Sequence, residues 1–233
     1  VKPAGTLAGA CFIVTLTTTL PPAEGDGDYL NIPLSRDAYH AFVAELVAEM
    51  VEAAELVRFS NSGTEAVMGA LRIARGATGR DGYVIFEGSY HGLFDAVMWQ
   101  ADVENLKDPS LEAELLPFGK GVPDLARQLL WHLPYNDPAR LEDVLRRDHD
   151  QIAAVLIEPL LGSCCGIPAT PEFMRAVRDL CTRYDVLMVV DEVKTGFRVA
   201  RGGTVPLDLP HTNQLTSALG VPTSTAFVAV TRK

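Results

Sequence analysis

A glycine and a threonine at the start of a predicted helix could bind a phosphate. Gly63 and Thr64 begin a predicted helix, where free backbone N–H groups, a hydroxyl and the positive end of the helix dipole favour an anion. The alternative is an ordinary helix cap formed by Ser62 and its neighbours. The residues themselves leave both interpretations open.

Two further polar clusters follow apolar runs. Tyr90 and His91 come after one such run and could stack on an aromatic ligand or fill a half-buried packing position. Asp191 follows five apolar residues, which places a carboxylate at the floor of a cleft. There it could pair with a cation, bind a metal or cap the next turn. None of these clusters decides a function alone.

Short apolar runs and amphipathic helices alternate around these clusters. Continuous apolar strands are typical of a mostly parallel sheet covered on both faces, in which ligands bind at the carboxyl ends of the strands. The polar clusters all fall at such ends. The strands are predicted at 10–14, 56–59, 83–86, 153–157 and 186–190, and the helices at 35–51, 63–76, 138–147 and 170–181.

Composition excludes several classes of protein. The chain has 233 residues, 48% of them hydrophobic, and a formal net charge of −10, which suits a folded core and disfavours a grip on nucleic-acid phosphates. No apolar run approaches the roughly 18–20 residues of a membrane span, and no secretion signal opens the chain. The four cysteines include an adjacent pair but no CxxC spacing, which favours reduced thiols and a cytoplasmic location over disulfides or a metal site.

Familiar catalytic signatures are missing from the sequence. It contains no GxGxxG after a strand, no GxxxxGK[ST], no HExxH and no GxSxG. These absences argue against dinucleotide, P-loop, zinc-protease and serine-hydrolase chemistry.

Three sequence blocks in a fixed order carry a family resemblance. They are VRFSNSGTEA at 57–66, FEGSYHG at 86–92 and VDEVKTGFR at 190–198, with a shorter match, IEP, at 157–159. In this order the blocks resemble the class III (fold type I) pyridoxal-phosphate aminotransferases and aminomutases. The resemblance implies a three-layer α/β fold, the large domain of these transferases, with a mostly parallel sheet and helices on both faces, apparently incomplete in this chain.

The resemblance also divides the chain. It implies a pyridoxal-phosphate-binding core at 45–203, preceded by an N-terminal segment of unclear origin at 1–44 and followed by a divergent C-terminal tail at 204–233. The tail changes composition to Thr, Ser, Pro and Leu and shows no clear period.

Cofactor-binding roles follow from the resemblance, residue by residue. Ser62, Gly63 and Thr64 would hold the cofactor phosphate. Tyr90, with His91 beside it, would lie against the pyridine ring. The remaining implied roles are a contact of Val193 with the opposite ring face, an ion pair of Asp191 with the protonated ring nitrogen, and a place for Glu158 on the substrate side of the pocket.

One family feature is not found. The lysine that forms the Schiff base lies, in the family, in a glycine-rich segment resembling GKxxGGG beyond the Asp-Glu-Val block. Residues 215–222 stand there in this sequence without a lysine. Lys194 is a weak candidate, because its neighbour Asp191 would mark the ring nitrogen, at the opposite end of the cofactor from the reactive aldehyde.

The resemblance implies transfer of an amino group on an amino acid or amino aldehyde by a Schiff-base mechanism, with a small-molecule amino donor or amino-aldehyde substrate. It also implies a homodimer. The alternative is a catalytically inert binding or dimerisation module that keeps the fold and lacks the imine lysine.

Overall fold

The computed structural model describes residues 11–16, 36–51, 56–102, 114–199, 203 and 225–231. Within these residues the α-helices are α1 Arg36–Met50, α2 Gly63–Thr78, α3 Pro138–Asp148 and α4 Pro171–Arg183. The strands are β1 Cys11–Leu16, β2 Leu56–Ser60, β3 Gly82–Phe86, β4 Trp99–Ala101, β5 Leu115–Pro117, β6 Leu130–Leu133, β7 Ile152–Ile157, β8 Leu160–Leu161, β9 Ile167–Pro168, β10 Leu187–Asp191 and β11 Thr225–Thr231.

One seven-stranded sheet organises the fold. Its order is β2-β1-β11-β10-β7-β3-β6. β11 runs antiparallel to both of its neighbours, whereas the other neighbouring strands are parallel. The predicted mostly parallel sheet is therefore confirmed, and so are the predicted strands and helices, with shifts of a few residues at their ends.

Both faces of the sheet are covered, as the continuous apolar strands predict. On β7, Val155 and Ile157 pack with α3 and α4, whereas Ala154 and Leu156 pack with α2 on the opposite face. This alternation follows from the two-residue period of side chains on a strand. Burying a side chain such as Phe173 of α4 stabilises the fold by roughly 1.5–3 kcal/mol.

Helix ends are set by the residues that the sequence offers as caps. α2 begins after Ser62, whose Oγ accepts the Glu65 N–H at 3.2 Å, and ends at Gly79, which has φ 71° and donates its N–H to the Arg75 carbonyl. In α4, Thr170 accepts the Phe173 N–H at 3.1 Å and Pro171 follows it, as predicted.

Two strands of the large sheet, β6 and β11, extend the sequence prediction. The region 101–150, in which only one helix is predicted, also contributes β6 at the sheet edge beside β3. β1 comes from the segment 1–44 and β11 from the tail 204–233, and both lie between β2 and β10 in the same sheet as the core. No helix among the described residues is long and apolar enough to cross a membrane.

Candidate functional site

The site centres on a buried, hydrogen-bonded pair of side chains, Asp191 and His91, at the end of β10. Asp191, the last residue of β10, is 3% exposed, and its Oδ2 lies 2.8 Å from Nδ1 of His91, which is 2% exposed. Because an ionised carboxylate can only accept hydrogen bonds, Nδ1 is the donor. Oδ1 of Asp191 accepts the Val193 N–H at 3.1 Å. A carboxylate offers about four lone-pair sites, so Asp191 can accept one more donor, such as a protonated ring nitrogen.

The other ring nitrogen of His91 is buried and unsatisfied. Among the described residues, Nε2 is the buried side-chain nitrogen or oxygen without a hydrogen-bond partner. Buried polar atoms are nearly always paired with protein, water or a ligand. Its presence beside Asp191 therefore indicates a place where a further polar group belongs.

The start of α2 lies against the residues that follow β10. A Cβ atom at Gly63 would lie 3.0 Å from Cγ2 of Val193, so glycine allows the two segments to approach closely. The N–H groups of the first helical turn have no acceptor within the helix. Ser62 satisfies that of Glu65, which leaves those of Gly63 and Thr64 directed toward the end of the helix. The structure thus contains the predicted cap, and phosphate binding at the start of α2 stays a prediction.

A third segment completes this arrangement. Gly92 has φ 108°, and a Cβ atom there would lie 2.6 Å from Oγ1 of Thr64. That Oγ1 accepts the Leu93 N–H at 3.1 Å. The segments 61–66, 90–93 and 191–193, far apart in sequence, therefore converge at the carboxyl ends of their strands.

Glu158 ties this region to the next strand connection. Its side chain is 2% exposed, with Oε1 accepting the Tyr90 N–H at 2.7 Å and Oε2 accepting the Gly162 N–H at 3.2 Å. Burial raises the pKa of Glu158, although nearby His91 and the two backbone donors act in the opposite direction. Both carboxylate oxygens are thus engaged by the protein's own backbone. A contact of Glu158 with substrate stays a prediction.

The other residues predicted for the site, Tyr90, Val193 and Lys194, differ in how far their side chains are exposed to solvent. The Tyr90 side chain is 40% exposed while its backbone is held by Glu158, so the ring is available to a ligand. Val193 is half-buried. Lys194 is exposed, and its stem crosses Gly162, where an added Cβ atom would lie 2.5 Å from Cγ of Lys194. Lys194 therefore lies over the β8–β9 connection.

Several supporting residues were not predicted. Tyr135 donates from its hydroxyl to the Glu158 carbonyl at 2.7 Å, and burial raises its pKa. Glu87, inside the second sequence block, accepts the Ala101 N–H at 2.8 Å and lies 3.4 Å from Nε2 of His132. Burial lowers the pKa of His132, with Glu87 opposing that shift. Only the position of Glu87 directly after a strand could have indicated such a role.

Metal ligands are not grouped in the described part of the chain, where no set of three or more His, Cys, Asp or Glu side chains is arranged to hold an ion. Asp191 takes part in the His91 pair instead.

Comparison with known families gives one match over most of the chain. The family model described as "Aminotransferase class-III" matches residues 29–205. Among curated relatives, the glutamate-1-semialdehyde 2,1-aminomutase of Herminiimonas arsenicoxydans is 46% identical over 166 residues, which are 69% of this chain and 36% of the relative. That of Aquifex aeolicus (strain VF5) is 41% identical over 165 residues, 71% of this chain and 38% of the relative. The chain thus spans little more than a third of these relatives.

Solved structures show the same fold. An omega-transaminase from Sphaerobacter thermophilus is 30% identical with a TM-score of 0.65, over 85% of this chain and 45% of that one. A β-phenylalanine aminotransferase from Variovorax paradoxus is 29% identical with a TM-score of 0.58, over 81% and 39% of the two chains. A structure described as a transaminase with pyridoxal phosphate bound is 29% identical with a TM-score of 0.64, over 86% and 45%.

Proposed function

This chain belongs to the class-III aminotransferase family, and on that premise we propose that it binds pyridoxal phosphate beside Asp191 and moves an amino group on an amino acid or amino aldehyde. The observation that carries the proposal is the buried pair of Asp191 and His91, 2.8 Å apart, where three sequence-distant segments meet. Such a carboxylate at a strand end is suited to hold a cationic ring nitrogen.

The residues present fit the cofactor at both of its ends. The start of α2 offers the N–H groups of Gly63 and Thr64 to the phosphate, with Ser62 capping the helix. Asp191 keeps acceptor capacity for the ring nitrogen, and the unsatisfied Nε2 of His91 marks a place for a polar group. When bound, pyridoxal phosphate supplies an electron sink that stabilises negative charge on the substrate's α-carbon.

The chain's own side chains would prepare the site for this ligand. Asp191 would hold the proton on the ring nitrogen, and His91, by donating to Oδ2, would fix the direction of the carboxylate. Val193 and Tyr90 would contact the two ring faces. Glu158, which binds the Tyr90 N–H, would keep the Tyr90 segment in place.

The substrate class rests on the names of the relatives. The relatives named glutamate-1-semialdehyde 2,1-aminomutase support an amino aldehyde as substrate, and the structural neighbours described as an omega-transaminase and a β-phenylalanine aminotransferase support an amino acid or another amino donor. We also propose a homodimer, which rests on the family resemblance alone. The free thiols of Cys164, Cys165 and Cys181 support a cytoplasmic location.

Titration with pyridoxal phosphate, followed by absorbance, tests the cofactor assignment. We expect Asp191→Ala to lower the affinity for pyridoxal phosphate at least tenfold, because the variant lacks the carboxylate that would pair with the ring nitrogen. A tenfold loss of affinity corresponds to about 1.4 kcal/mol of binding free energy. Asp143→Ala is the matched control, since Asp143 is exposed on α3 and pairs with Arg146. Equal affinity in the Asp191 variant and the parent chain would refute the role of Asp191.

Reduction with borohydride tests the lysine question. It fixes any imine between pyridoxal phosphate and a lysine, and peptide mass spectrometry identifies the labelled residue. A stoichiometric label on one lysine would support transfer chemistry, whereas reversible binding without a specific label would support the inert alternative. We expect Lys194→Ala to change neither binding nor labelling, because the Lys194 stem lies across Gly162.

A further inference from the structure

Two adjacent cysteines occupy the turn between β8 and β9. Cys164 is half-buried and Cys165 is exposed, and both are free thiols. The Ile167 N–H donates to the Cys164 carbonyl at 3.3 Å, which closes a four-residue turn. Its central residues, Cys165 and Gly166, have φ of 54° and 70°, as in a type I′ turn.

Cysteine is an unusual residue at the first central position of such a turn. Positive φ at both central positions favours Asn, Asp or Gly, and a cysteine has neither their local hydrogen bonds nor the freedom of glycine. Cys165 therefore has a strained backbone and an exposed side chain, and it stands next to a second cysteine. Strain of this kind at a chemically reactive side chain points from geometry to function.

We propose that Cys164 and Cys165 form a reversible thiol-oxidation site, with Cys165 as the attacking and Cys164 as the resolving thiol. Cys165 is assigned as the attacking thiol because it is the exposed residue of the two and is accessible to peroxide in solution. The Cys164 sulfur is more sheltered and lies beside Gly88, where an added Cβ atom would be 3.4 Å from Sγ. Cys164 and Cys165 are joined by a single peptide bond, so the proposed disulfide would form between neighbouring residues and would require the two side chains to turn toward each other.

The chemistry balances with hydrogen peroxide as oxidant. The Cys165 thiol releases its proton and its sulfur attacks one peroxide oxygen; the O–O bond breaks and the leaving hydroxide takes up the proton, which gives a sulfenic acid on Cys165 and one water. The Cys164 thiol then releases its proton and its sulfur attacks the Cys165 sulfur, so that an S–S bond forms, the S–O bond breaks and the leaving hydroxide takes up that proton as a second water. Two thiols and one peroxide thus give one disulfide and two waters, and both sulfurs are oxidised as the peroxide oxygens are reduced.

The resulting disulfide would be easily reduced. Adjacent Cα atoms across a trans peptide are about 3.8 Å apart, below the roughly 4.4–6.8 Å usual for disulfides. A strained, exposed disulfide has a higher reduction potential and is labile. The other cysteine with a described side chain, Cys181, is 1% exposed and serves as an unreactive reference.

Peptide mass spectrometry of the full chain tests the site. The reduced protein is treated with an equimolar amount of hydrogen peroxide, remaining thiols are alkylated with iodoacetamide, and the chain is digested with trypsin. The peptide Asp148–Arg175 contains both cysteines and no internal Lys or Arg. We expect this peptide to lose two hydrogens and take no alkyl group, and to take two after dithiothreitol. Two alkyl groups after peroxide would refute the proposal.

Single variants test the assigned roles without any dependence on the cofactor. In Cys164→Ser, we expect dimedone to trap a sulfenic acid on Cys165, because the resolving thiol is absent. In Cys165→Ser, we expect far less trapping on Cys164, because that sulfur is sheltered. More trapping on Cys164 than on Cys165, or chains linked through Cys165 in place of the internal disulfide, would overturn the assignment. Because pyridoxal phosphate is absent from these reactions, failure of the proposed function leaves their outcome unchanged.

Discussion

Glu158 shows how one buried side chain can connect two backbone segments of the site. It is 2% exposed, and its two carboxylate oxygens accept N–H groups from the Tyr90 segment and from Gly162. Leaving a buried backbone N–H without an acceptor costs roughly 1–3 kcal/mol. The Glu158 side chain is therefore a clamp that holds together two strand connections, one containing Tyr90 and the other containing Gly162. Its length and its two acceptor oxygens are both needed for these hydrogen bonds.

We expect Glu158→Ala to lower the free energy of unfolding by about 1–3 kcal/mol, because it leaves two partly buried N–H donors without their acceptor. Glu158→Gln keeps one acceptor oxygen and should fall between the parent chain and the alanine variant. Urea unfolding measures both. Glu172→Ala on the exposed face of α4 is the control, since its pair with Arg175 is solvated and contributes little. A Glu158→Ala variant as stable as this control would contradict the clamp.

At the scale of elements, two glycines near the C-terminal end of α2 have different backbone conformations. Gly76 lies inside the helix, with nothing within 4 Å of an added Cβ atom, whereas Gly79 caps the helix at φ 71°. Glycine in a helix interior costs roughly 0.5–1 kcal/mol relative to alanine, because glycine loses more backbone freedom on folding. In the left-handed region the penalty falls instead on residues with a Cβ atom.

The two glycine positions therefore predict opposite effects of the same substitution. Gly76→Ala should raise the free energy of unfolding by about 0.5–1 kcal/mol. Gly79→Ala should lower it by about 1–2 kcal/mol, because alanine is strained at positive φ. Thermal unfolding of the two variants and the parent chain measures both changes. If both substitutions raised the free energy of unfolding, or both lowered it, the assigned C-terminal end of α2 would be wrong.

Elements were predictable where local chemistry decides them. α2 and α4 have side-chain caps, and β3, β7 and β10 are continuous apolar runs that can only be buried. β6 was missed because its four residues include His132 and give no period. β11 was missed because its place depends on pairing with β1 and β10, and strand pairing across long stretches of chain leaves no local signal.

The candidate site shows the same limit at the scale of the whole molecule. The three blocks predicted which residues belong to it, and the strand ends predicted that they meet. The sequence could not predict that His91 pairs with a carboxylate 100 residues away or that Glu158 binds the Tyr90 backbone 68 residues away. These contacts depend on sheet order and register, which bring distant strand ends to one edge.

The stability of the whole molecule should depend on pH through His132. Burial lowers its pKa below the ordinary value of 6.5, and nearby Glu87 only partly offsets this shift. The folded state therefore binds the imidazole proton more weakly than the unfolded chain does. As pH falls below 6.5, the unfolded state takes up more protons, so the free energy of unfolding decreases until the folded-state pKa is passed.

A neutral replacement isolates this contribution. Urea unfolding of the parent chain and of His132→Gln is compared from neutral to mildly acidic pH, and we expect the parent to lose stability more steeply below 6.5. Glu158, whose pKa is raised by burial, acts in the opposite sense above 4.5, where stability falls as pH rises. Because both chains contain Glu158, its contribution cancels in the difference between them. Glu87→Gln should make the free energy of unfolding fall more steeply below pH 6.5, because it removes the charge that opposes the shift in the His132 pKa. The same pH dependence of stability in the parent chain, His132→Gln and Glu87→Gln would contradict this role of His132.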